Sequence, residues 1–151
     1  MADARPGADA RSGADAAAAS RLRLVLVTIE KKVLEVECDE VTLPGKLGYF
    51  GVLPGHVPMI AMLRVGELMY RLGKVEHYLA LSWGFCEVAD DKVTVMAEFA
   101  ELPAEIDVAA AEREAAEAQA LLPVSAHGDL DQAMARLDAA VTRIAVARRP
   151  R

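Results

Sequence analysis

The pattern that most constrains the fold of this chain is a series of short runs, between residues 22 and 97, in which apolar and polar residues alternate. Leu22, Leu24 and Leu26 alternate with Arg23 and Val25 at the start of the series. The further runs are residues 33–38, 39–43, 57–63, 67–72, 75–81, 85–88 and 92–97, separated by turn sequences such as Pro-Gly, Leu-Gly and Ala-Asp-Asp. Alternation with a period of two predicts strands with one buried and one wet face. Many short strands at this spacing favour a β-sandwich or flattened barrel.

The segment from Gly48 to Pro58 interrupts this series. Its sequence is Gly-Tyr-Phe-Gly-Val-Leu-Pro-Gly-His-Val-Pro. Because proline fixes φ and glycine permits positive φ, we interpret the segment as a loop with one irregular backbone path. Such a path displays Tyr49, Phe50 and His56 rather than burying them. An exposed aromatic pair on a rigid turn suits the docking of another protein, so the sequence predicts a binding element here.

The period changes to that of a helix after Pro103. Asp107 is a favourable N-cap, and the alanine-rich run that follows it as far as Leu122 has high helix propensity. After a break, Asp129 with Gln132 three residues later predicts the N-terminus of a second helix. We expect the two helices to fold back on each other as an antiparallel hairpin.

The two predicted helices differ in the size of their apolar residues. The first has a stripe of mostly small ones, Val108, Ala111, Ala115, Ala118 and Leu122. The second has a continuous seam of larger ones, Leu130, Met134, Leu137, Val141 and Ile144. We predict that the small alanine face packs against the larger seam. Because alanine contributes little apolar area, we also expect the hairpin to dock only marginally.

Composition divides the 151 residues into three parts. Residues 1–20 repeat Ala, Asp, Arg and Gly without a large apolar residue after Met1, so they have nothing to bury and we predict disorder. Residues 21–102 form the predicted β-domain, and residues 103–151 form the predicted two-helix domain. The chain is long enough to bury a substantial core.

Charge and cysteine content exclude several classes of function. The net charge of −6 disfavours nucleic-acid binding, which needs a basic surface. No apolar run approaches the roughly 18 residues of a membrane span, so we expect no direct membrane insertion. Cys38 and Cys86 each follow a strand-like alternation, and we predict that both are buried and unpaired, as suits a reducing, cytoplasmic setting.

The sequence contains no recognisable catalytic set. His56, His77 and His127 lack the spacing of metal ligands, and neither Gly-x-Ser-x-Gly nor Gly-x-x-x-x-Gly-Lys-Ser/Thr occurs. We therefore expect no catalytic residue, no metal and no cofactor, and a chain that is not an enzyme by itself. A nucleotide-sensing module and a small hydrolase are the rival classes to a protein-interaction subunit.

Taken together, these segments resemble the epsilon subunit of bacterial F-type ATP synthases. The family carries Gly-x-Phe-Gly-Val-Leu-Pro-Gly-His-x-Pro, which this chain has at residues 48–58. Similarity continues at residues 82–88 and 92–97, at Ile106-Asp107, which opens the first family helix, and at residues 127–131, which resemble the turn into the second. The resemblance extends from about residue 21 to the C-terminus.

The resemblance implies a sandwich of about ten strands followed by a helical hairpin. It also implies a non-catalytic rotor subunit of the central stalk, which binds the gamma subunit and the ring of c subunits and couples proton flow to ATP synthesis. Its contacts with gamma and the c ring would be Gly48, Tyr49, Phe50, Gly51 and His56. The alternative for His56 is a hydrogen bond within its own turn. The subunit would be peripheral, on the cytoplasmic side of the bacterial inner membrane.

In many relatives the hairpin leaves the sandwich, extends into the catalytic head and inhibits ATP hydrolysis, and this sequence is compatible with that behaviour. Between residues 136 and 151, five arginines face Asp138 alone. They form either a solvated helix face or a basic surface for an acidic partner. By resemblance, Arg136, Arg143, Arg148 and Arg149 would meet an acidic loop of the beta subunit in the extended state.

Some relatives bind ATP on the hairpin through Ile-Asp-x-x-Arg-Ala. This chain keeps Ile106, Asp107 and Ala111, but Ala110 stands where the arginine belongs. Because a phosphate contact is lost, we predict weak or absent ATP binding. Trp83, where relatives usually have glycine, either fills a sandwich edge or adds a partner contact. An ATP-sensing regulatory module and an unrelated β-sandwich interaction module remain the alternative functions.

Overall fold

The computed structural model describes residues 20–124 and 126–150. All of the predicted disordered extension except Ser20 lies outside these residues. The strands are β1 (Leu22–Thr28), β2 (Lys32–Cys38), β3 (Glu40–Gly45), β4 (Gly48–Val52), β5 (Met59–Leu63), β6 (Gly66–Leu72), β7 (Val75–Leu81), β8 (Gly84–Ala89), β9 (Lys92–Ala97) and β10 (Ala100–Glu101). They are followed by α1 (Val108–Leu121) and α2 (His127–Ala147), with short 3₁₀ turns at Pro103–Glu105 and Leu122–Val124.

The strands form one sheet that folds over on itself. Its order is β10-β7-β6-β3-β5-β8-β9-β1-β2, and β4 pairs with β3 beside that path. Strands β1 and β9 are parallel, whereas the other pairs are antiparallel. The inward positions of the alternating runs make a core of leucine and valine, in which Leu22, Leu24 and Leu26 are fully buried. The predicted fold, a sandwich of about ten strands followed by a helical hairpin, is confirmed.

The segment that we interpret as an irregular loop is a strand over half of its length. Residues Gly48–Val52 form β4 and pair with β3, so the loop prediction is wrong for this half. Glycines allow the tight turn between the two strands: Gly48 has a φ of 139°, and a Cβ atom on Gly45 would lie 2.7 Å from the carbonyl oxygen of Gly48. Pairing with the adjacent strand then outweighs the low strand propensity of glycine.

The first helix begins where the sequence predicts, and the second begins earlier. The Asp107 carboxylate accepts a hydrogen bond from the Ala110 amide at 3.0 Å, as expected of an N-cap. Asp129 is not the N-cap of α2, so that prediction is wrong. The Ala126 carbonyl already accepts hydrogen bonds from the amides of Asp129 and Leu130, which places Asp129 in the first helical turn. A carboxylate there interacts favourably with the helix dipole.

The helices form the predicted antiparallel hairpin, but through a different face of α2. Successive arginines along α2 pair with glutamates in reverse order along α1. The buried small residues are Ala111 and Ala118 on α1 and Ala133 and Ala140 on α2. Met134 and Val141 of the predicted seam are each 51% exposed, so the prediction that the larger seam packs on α1 is wrong for these two residues, whereas Leu130, Leu137 and Ile144 are partly buried. Alanine on both sides allows the helix backbones to approach closely.

Cys38 and Cys86 are buried and unpaired, which confirms the sequence prediction. Both thiols lie in the core of the sandwich, where burial raises the pKa of Cys38 to about 11 and that of Cys86 to about 12. A thiol with so high a pKa is protonated at neutral pH and is therefore unreactive. The two cysteines act as small core residues.

Candidate partner-binding surfaces

Four large apolar side chains are exposed on the outer face of the neighbouring strands β5, β8 and β9. They are Ile60, Met62, Phe85 and Met96, and we call this set the apolar face. Strand register brings three of them into one row, because Met62 pairs with Phe85 and Phe85 pairs with Met96. Ile60 is two residues before Met62 on the same side of β5 and is 76% exposed. An exposed apolar group of this kind is typical of an interaction site.

A groove of about 670 Å³ borders the apolar face. Its walls are residues 45–50, from the β3–β4 turn and β4, and residues 59–62 of β5. Leu47 is fully exposed at the tip of the turn. Because the lining is mainly apolar, the groove extends the apolar face into a concave surface that can receive apolar side chains of a partner.

The two aromatic residues of β4 have different environments. Tyr49 is half exposed, and its hydroxyl accepts a hydrogen bond from the Glu67 amide at 3.1 Å. The Arg64 guanidinium lies 5.6 Å from the centre of the Tyr49 ring. Phe50 is only partly displayed, because one side of it packs against the core while it also lines the groove. Successive strand residues face opposite sides, and Phe50 points to the same side as the buried Val52.

The second half of the segment is a tight turn that is held from two sides. The His56 amide donates to the Leu53 carbonyl at 3.1 Å, and Gly55 has a φ of 83°, as in a type II turn. The Asp91 carboxylate, from the β8–β9 turn, accepts a hydrogen bond from the Gly55 amide at 2.6 Å. His56 Nδ1 lies 2.7 Å from the Val57 carbonyl oxygen, so the histidine bonds within its own segment, as the alternative reading of this residue expected.

The four arginines that the resemblance selects, two in α2 and two directly after it, all have carboxylate partners within the chain. The pairs are Arg136–Glu117, Arg148–Glu112, Arg143–Glu101 and Arg149–Glu67. The first two pairs join α2 to α1, whereas the last two join α2 to β10 and β6 of the sandwich. We call the pairs Arg143–Glu101 and Arg149–Glu67 the latch. The latch joins the hairpin to the sheet through two ion pairs.

Arg143 is the most enclosed of these arginines, with a side chain that is 25% exposed. Its guanidinium makes a two-bond fork with Glu101, in which Nη2 lies 2.9 Å from Oε1. A further hydrogen bond joins Nη1 to Glu114 of α1 at 2.9 Å, and the Phe99 ring centre lies 5.7 Å away. Hydrogen bonding to Glu101 raises the pKa of Arg143, so the guanidinium stays charged in the latch.

Arg149 completes the latch at the C-terminal end of α2. Besides bonding Glu67, its guanidinium lies over the Tyr78 ring at 4.0 Å from the centre. The Tyr78 hydroxyl donates to the Glu76 carboxylate at 2.5 Å, and this bond raises the pKa of Tyr78. The ring is thereby fixed in the position that stacks on the guanidinium.

The residues of the predicted ATP-site remnant support the start of helix α1. The Asp107 carboxylate caps the helix, Ile106 is partly buried, and Ala111 is buried against α2. Ala110, where the family motif has arginine, contributes its amide to the cap. Each of these residues therefore has a structural role at the start of α1.

The sandwich is matched over residues 21–103 by the family model described as ATP synthase, Delta/Epsilon chain, beta-sandwich domain. ATP synthase epsilon chain 2 of Syntrophotalea carbinolica is 44% identical over 133 residues, which are 87% of this chain and 96% of that protein. This chain belongs to the ATP synthase epsilon chain family. The epsilon chain of Geobacter sp. strain M21 is 46% identical to this chain, over 85% of this chain and 95% of that protein.

A solved structure of Euglena gracilis mitochondrial ATP synthase, comprising OSCP, F1 and the c ring, contains a chain with the same fold as this epsilon chain. The TM-score is 0.73 at 23% identity, covering 83% of this chain and 80% of that chain. Family membership confirms the predicted recognition as a subunit of the ATP synthase that is not an enzyme by itself. It rules out the alternative of an unrelated β-sandwich module. Among the residues that the structure describes, no helix combines the length and apolarity needed to span a bilayer.

Sequence reasoning about this epsilon chain missed the apolar face. The signal in residues 59–63, Met-Ile-Ala-Met-Leu, is apolar at every position, so alternation could not tell which side is exposed. Trp83, which the sequence left undecided, is half exposed between β7 and β8. The carboxylate partners of the arginines were also missed, because Glu67 and Glu101 are distant from α2 in sequence.

Proposed function

We propose that this epsilon chain works as a rotor subunit of the central stalk, which binds the gamma subunit and the c ring and couples proton flow to ATP synthesis. The observation that carries the proposal is the apolar face, exposed on a chain whose full-length relatives are ATP synthase epsilon chains. An apolar surface beside a concave groove is the kind of surface that a stable subunit interface covers.

The apolar face and the groove would bind gamma, with Tyr49 as one wall of the groove. Gly48 also lines the groove and would lie with it against gamma, whereas the turn that contains His56 and the exposed β4 position Gly51 would lie against the c ring. Phe50, which is partly buried against the core, also lines the groove and would contribute its exposed edge to the contact with gamma.

Rigidity of these surfaces suits a subunit that transmits torque. The Tyr49 hydroxyl is bonded to β6, and the Gly55 amide is bonded to the Asp91 carboxylate. Side chains and turns that are fixed before binding lose little conformational entropy when they dock. A rigid contact also transmits a rotation without first deforming itself.

Co-purification from membranes in mild detergent tests the proposal. A tagged full-length chain is expected to recover gamma and the c ring, and Ile60→Asp should lose them because it places a charge in the apolar face. Val75→Asp is the matched control: Val75 is also exposed, but it lies at the start of β7, away from the apolar face. Recovery of the wild-type chain as a lone monomer would refute the assignment.

We further propose that the hairpin inhibits ATP hydrolysis when it leaves the sandwich. The supporting observation is that Arg136, Arg143, Arg148 and Arg149 already bind carboxylates within the chain. An acidic loop of the beta subunit could replace these partners without loss of charge pairing, so undocking exchanges one set of ion pairs for another.

Two changes to the assembled enzyme should act in opposite directions. Deletion of all residues after Leu102 removes the inhibitor and should raise ATPase activity. The double variant Arg143→Gln with Arg149→Gln breaks the latch, frees the hairpin and should lower activity. Arg136→Gln, whose pair lies within the hairpin, serves as the control. Unchanged activity after the deletion would remove the inhibitory role.

Two finer expectations accompany this function. The subunit should be a peripheral component on the cytoplasmic side of the bacterial inner membrane. ATP binding should be weak or absent, because Ala110 offers no side chain to a phosphate. Calorimetry on the isolated chain tests the second expectation, and micromolar affinity would favour the ATP-sensing alternative.

A further inference from the structure

One carboxylate borders the apolar face on the outer side of the sheet. Glu87 is exposed on β8, where it pairs with Ile60 on one side and Thr94 on the other. Phe85, two residues earlier, belongs to the apolar face and points to the same side. Glu87 is therefore bordered by the apolar face on two sides.

Glu87 makes no ion pair and no side-chain hydrogen bond with any residue in the described ranges 20–124 and 126–150. Lys92 lines the same shallow depression but lies beyond ion-pair distance. By contrast, Glu35 on the same side of the sheet bonds both Arg23 and Lys32, at 2.9 Å from Arg23 Nε and 2.5 Å from Lys32. Glu35 is thus paired within the chain, whereas Glu87 is not.

Covering the apolar face removes water from Glu87. A carboxylate that loses water without gaining a cation is strongly destabilising, because desolvation of a charge costs several kcal/mol. A partner that packs on Ile60 and Phe85 must therefore either avoid Glu87 or bring a positive charge to it. The position of Glu87 between Ile60 and Thr94, beside the row of Met62, Phe85 and Met96, leaves little room for avoidance.

We propose that the segment of gamma that docks on the apolar face is apolar with one basic side chain, which pairs with Glu87 and makes this residue a specificity determinant of the interface. The inference rests on the proposed function, because it assumes that gamma covers the apolar face. A wrong segment, docked in another register, would leave Glu87 desolvated and unpaired, so the carboxylate selects one orientation of the partner.

Binding of purified gamma to the full-length chain, measured at low and high salt, tests the inference. Glu87→Gln keeps the shape but removes the charge, and should weaken binding at low salt by at least about thirtyfold and flatten its salt dependence. Glu87→Lys should weaken binding further. Glu37→Gln is the matched control, since Glu37 is exposed on the same side of the sheet but on β2.

The outcomes separate this inference from the proposed function. Wild-type binding with an unaffected Glu87→Gln variant would overturn the inference and leave the gamma assignment standing, and so would an equal loss in Glu37→Gln, which would indicate general electrostatic attraction. Failure of the wild-type chain to bind gamma would overturn both. Restoration of Glu87→Lys binding by reversing one basic residue of gamma to glutamate would identify the partner residue.

Discussion

Release of the hairpin from the sandwich should depend strongly on Arg143. The change Arg143→Gln removes the fork with Glu101, which joins two side chains that are 25% and 23% exposed. Arg143 also bonds Glu114, but undocking does not break this bond, because Glu114 belongs to α1 and moves with the hairpin. Undocking therefore breaks the fork of Arg143 with Glu101 and its contact with the Phe99 ring, and it keeps the bond to Glu114.

The magnitude follows from the exposure of the fork. Hydrogen bonds to charged groups contribute about 1.5–3 kcal/mol when partly buried, and exposed ion pairs contribute about 0–1 kcal/mol. At about one-quarter exposure we take a value of about 2 kcal/mol. Since 1.4 kcal/mol is about a factor of ten in an equilibrium constant, the open population should rise about thirtyfold.

Thiol labelling measures this population. In a Val146→Cys background, the new thiol replaces a fully buried residue one turn from Arg143 on the same side of α2. Cys38 and Cys86 are internal references, because they lie in the sandwich core and become accessible only when the sandwich opens. Arg143→Gln should raise the labelling rate at residue 146 about thirtyfold and leave the two reference rates unchanged.

The control is Arg136→Gln, which removes the same charge from the same helix. Its partner Glu117 lies on α1 at 3.8 Å, and both side chains are more than half exposed, so labelling should change by less than about twofold. An equal effect of the two substitutions would refute the reasoning, because Arg143 bonds a carboxylate of the sheet whereas Arg136 bonds one within the hairpin. A rise at Cys86 in parallel with residue 146 would also refute it.

Three further predictions concern the sandwich. Gly66→Ala should destabilise it by about 1–3 kcal/mol, seen as a lower melting temperature, because the added Cβ would lie 2.8 Å from the Tyr49 hydroxyl. Asp91→Ala should cost about 0.5–1.5 kcal/mol, because the bond is exposed, and should speed hydrogen exchange at the Gly55 amide, while Asp91→Asn should do so less; protection equal to wild type would contradict the role of this bond. Because the pKa of Cys86 is about 12 in the folded state and lower in the unfolded state, the folded state holds the thiol proton more tightly. The stability measured by urea unfolding should therefore fall as pH rises above about 9, and the fall should be shallower in Cys86→Ala.

The strand content was predictable because it depends on a local pattern. Alternation at Leu22, Leu24 and Leu26 predicts a strand with one apolar face, and that face must be buried in a core whichever strand pairs with it. Strand β4 was missed because glycine dominates the local signal of its sequence, whereas its pairing with β3 is a tertiary effect. Local propensity carries no information about that partner.

The packing face of the hairpin could not be read from side-chain size. The larger residues of α2 look like the natural core, yet Met134 is half exposed, and Ala133 beside it is buried. Close approach of two alanine faces and the reach of Arg143 to β10 together fix the rotation of α2. Both factors depend on the position of the sandwich, which the helix sequence alone does not encode.

The candidate site was predictable in location but not in detail. The glycine- and proline-rich segment indicated a shaped surface, and the turn ending at His56 is one. The exposed apolar residues that lie next to it came from β5, β8 and β9, which only the folded register brings together. Of the aromatic pair that the sequence selected, Tyr49 is the more exposed, because strand alternation turns Phe50 toward the core, where it is partly buried.

Site-specific photo-crosslinking in the assembled ATP synthase tests the central claim most directly. A photoreactive residue in place of Ile60, on the apolar face, should crosslink to the gamma subunit. The same group in place of Arg113, which is exposed on α1, should not do so while the hairpin is docked. A crosslink from position 60 to gamma is the predicted result, and an assembled, active enzyme in which position 60 crosslinks to no subunit would contradict the account.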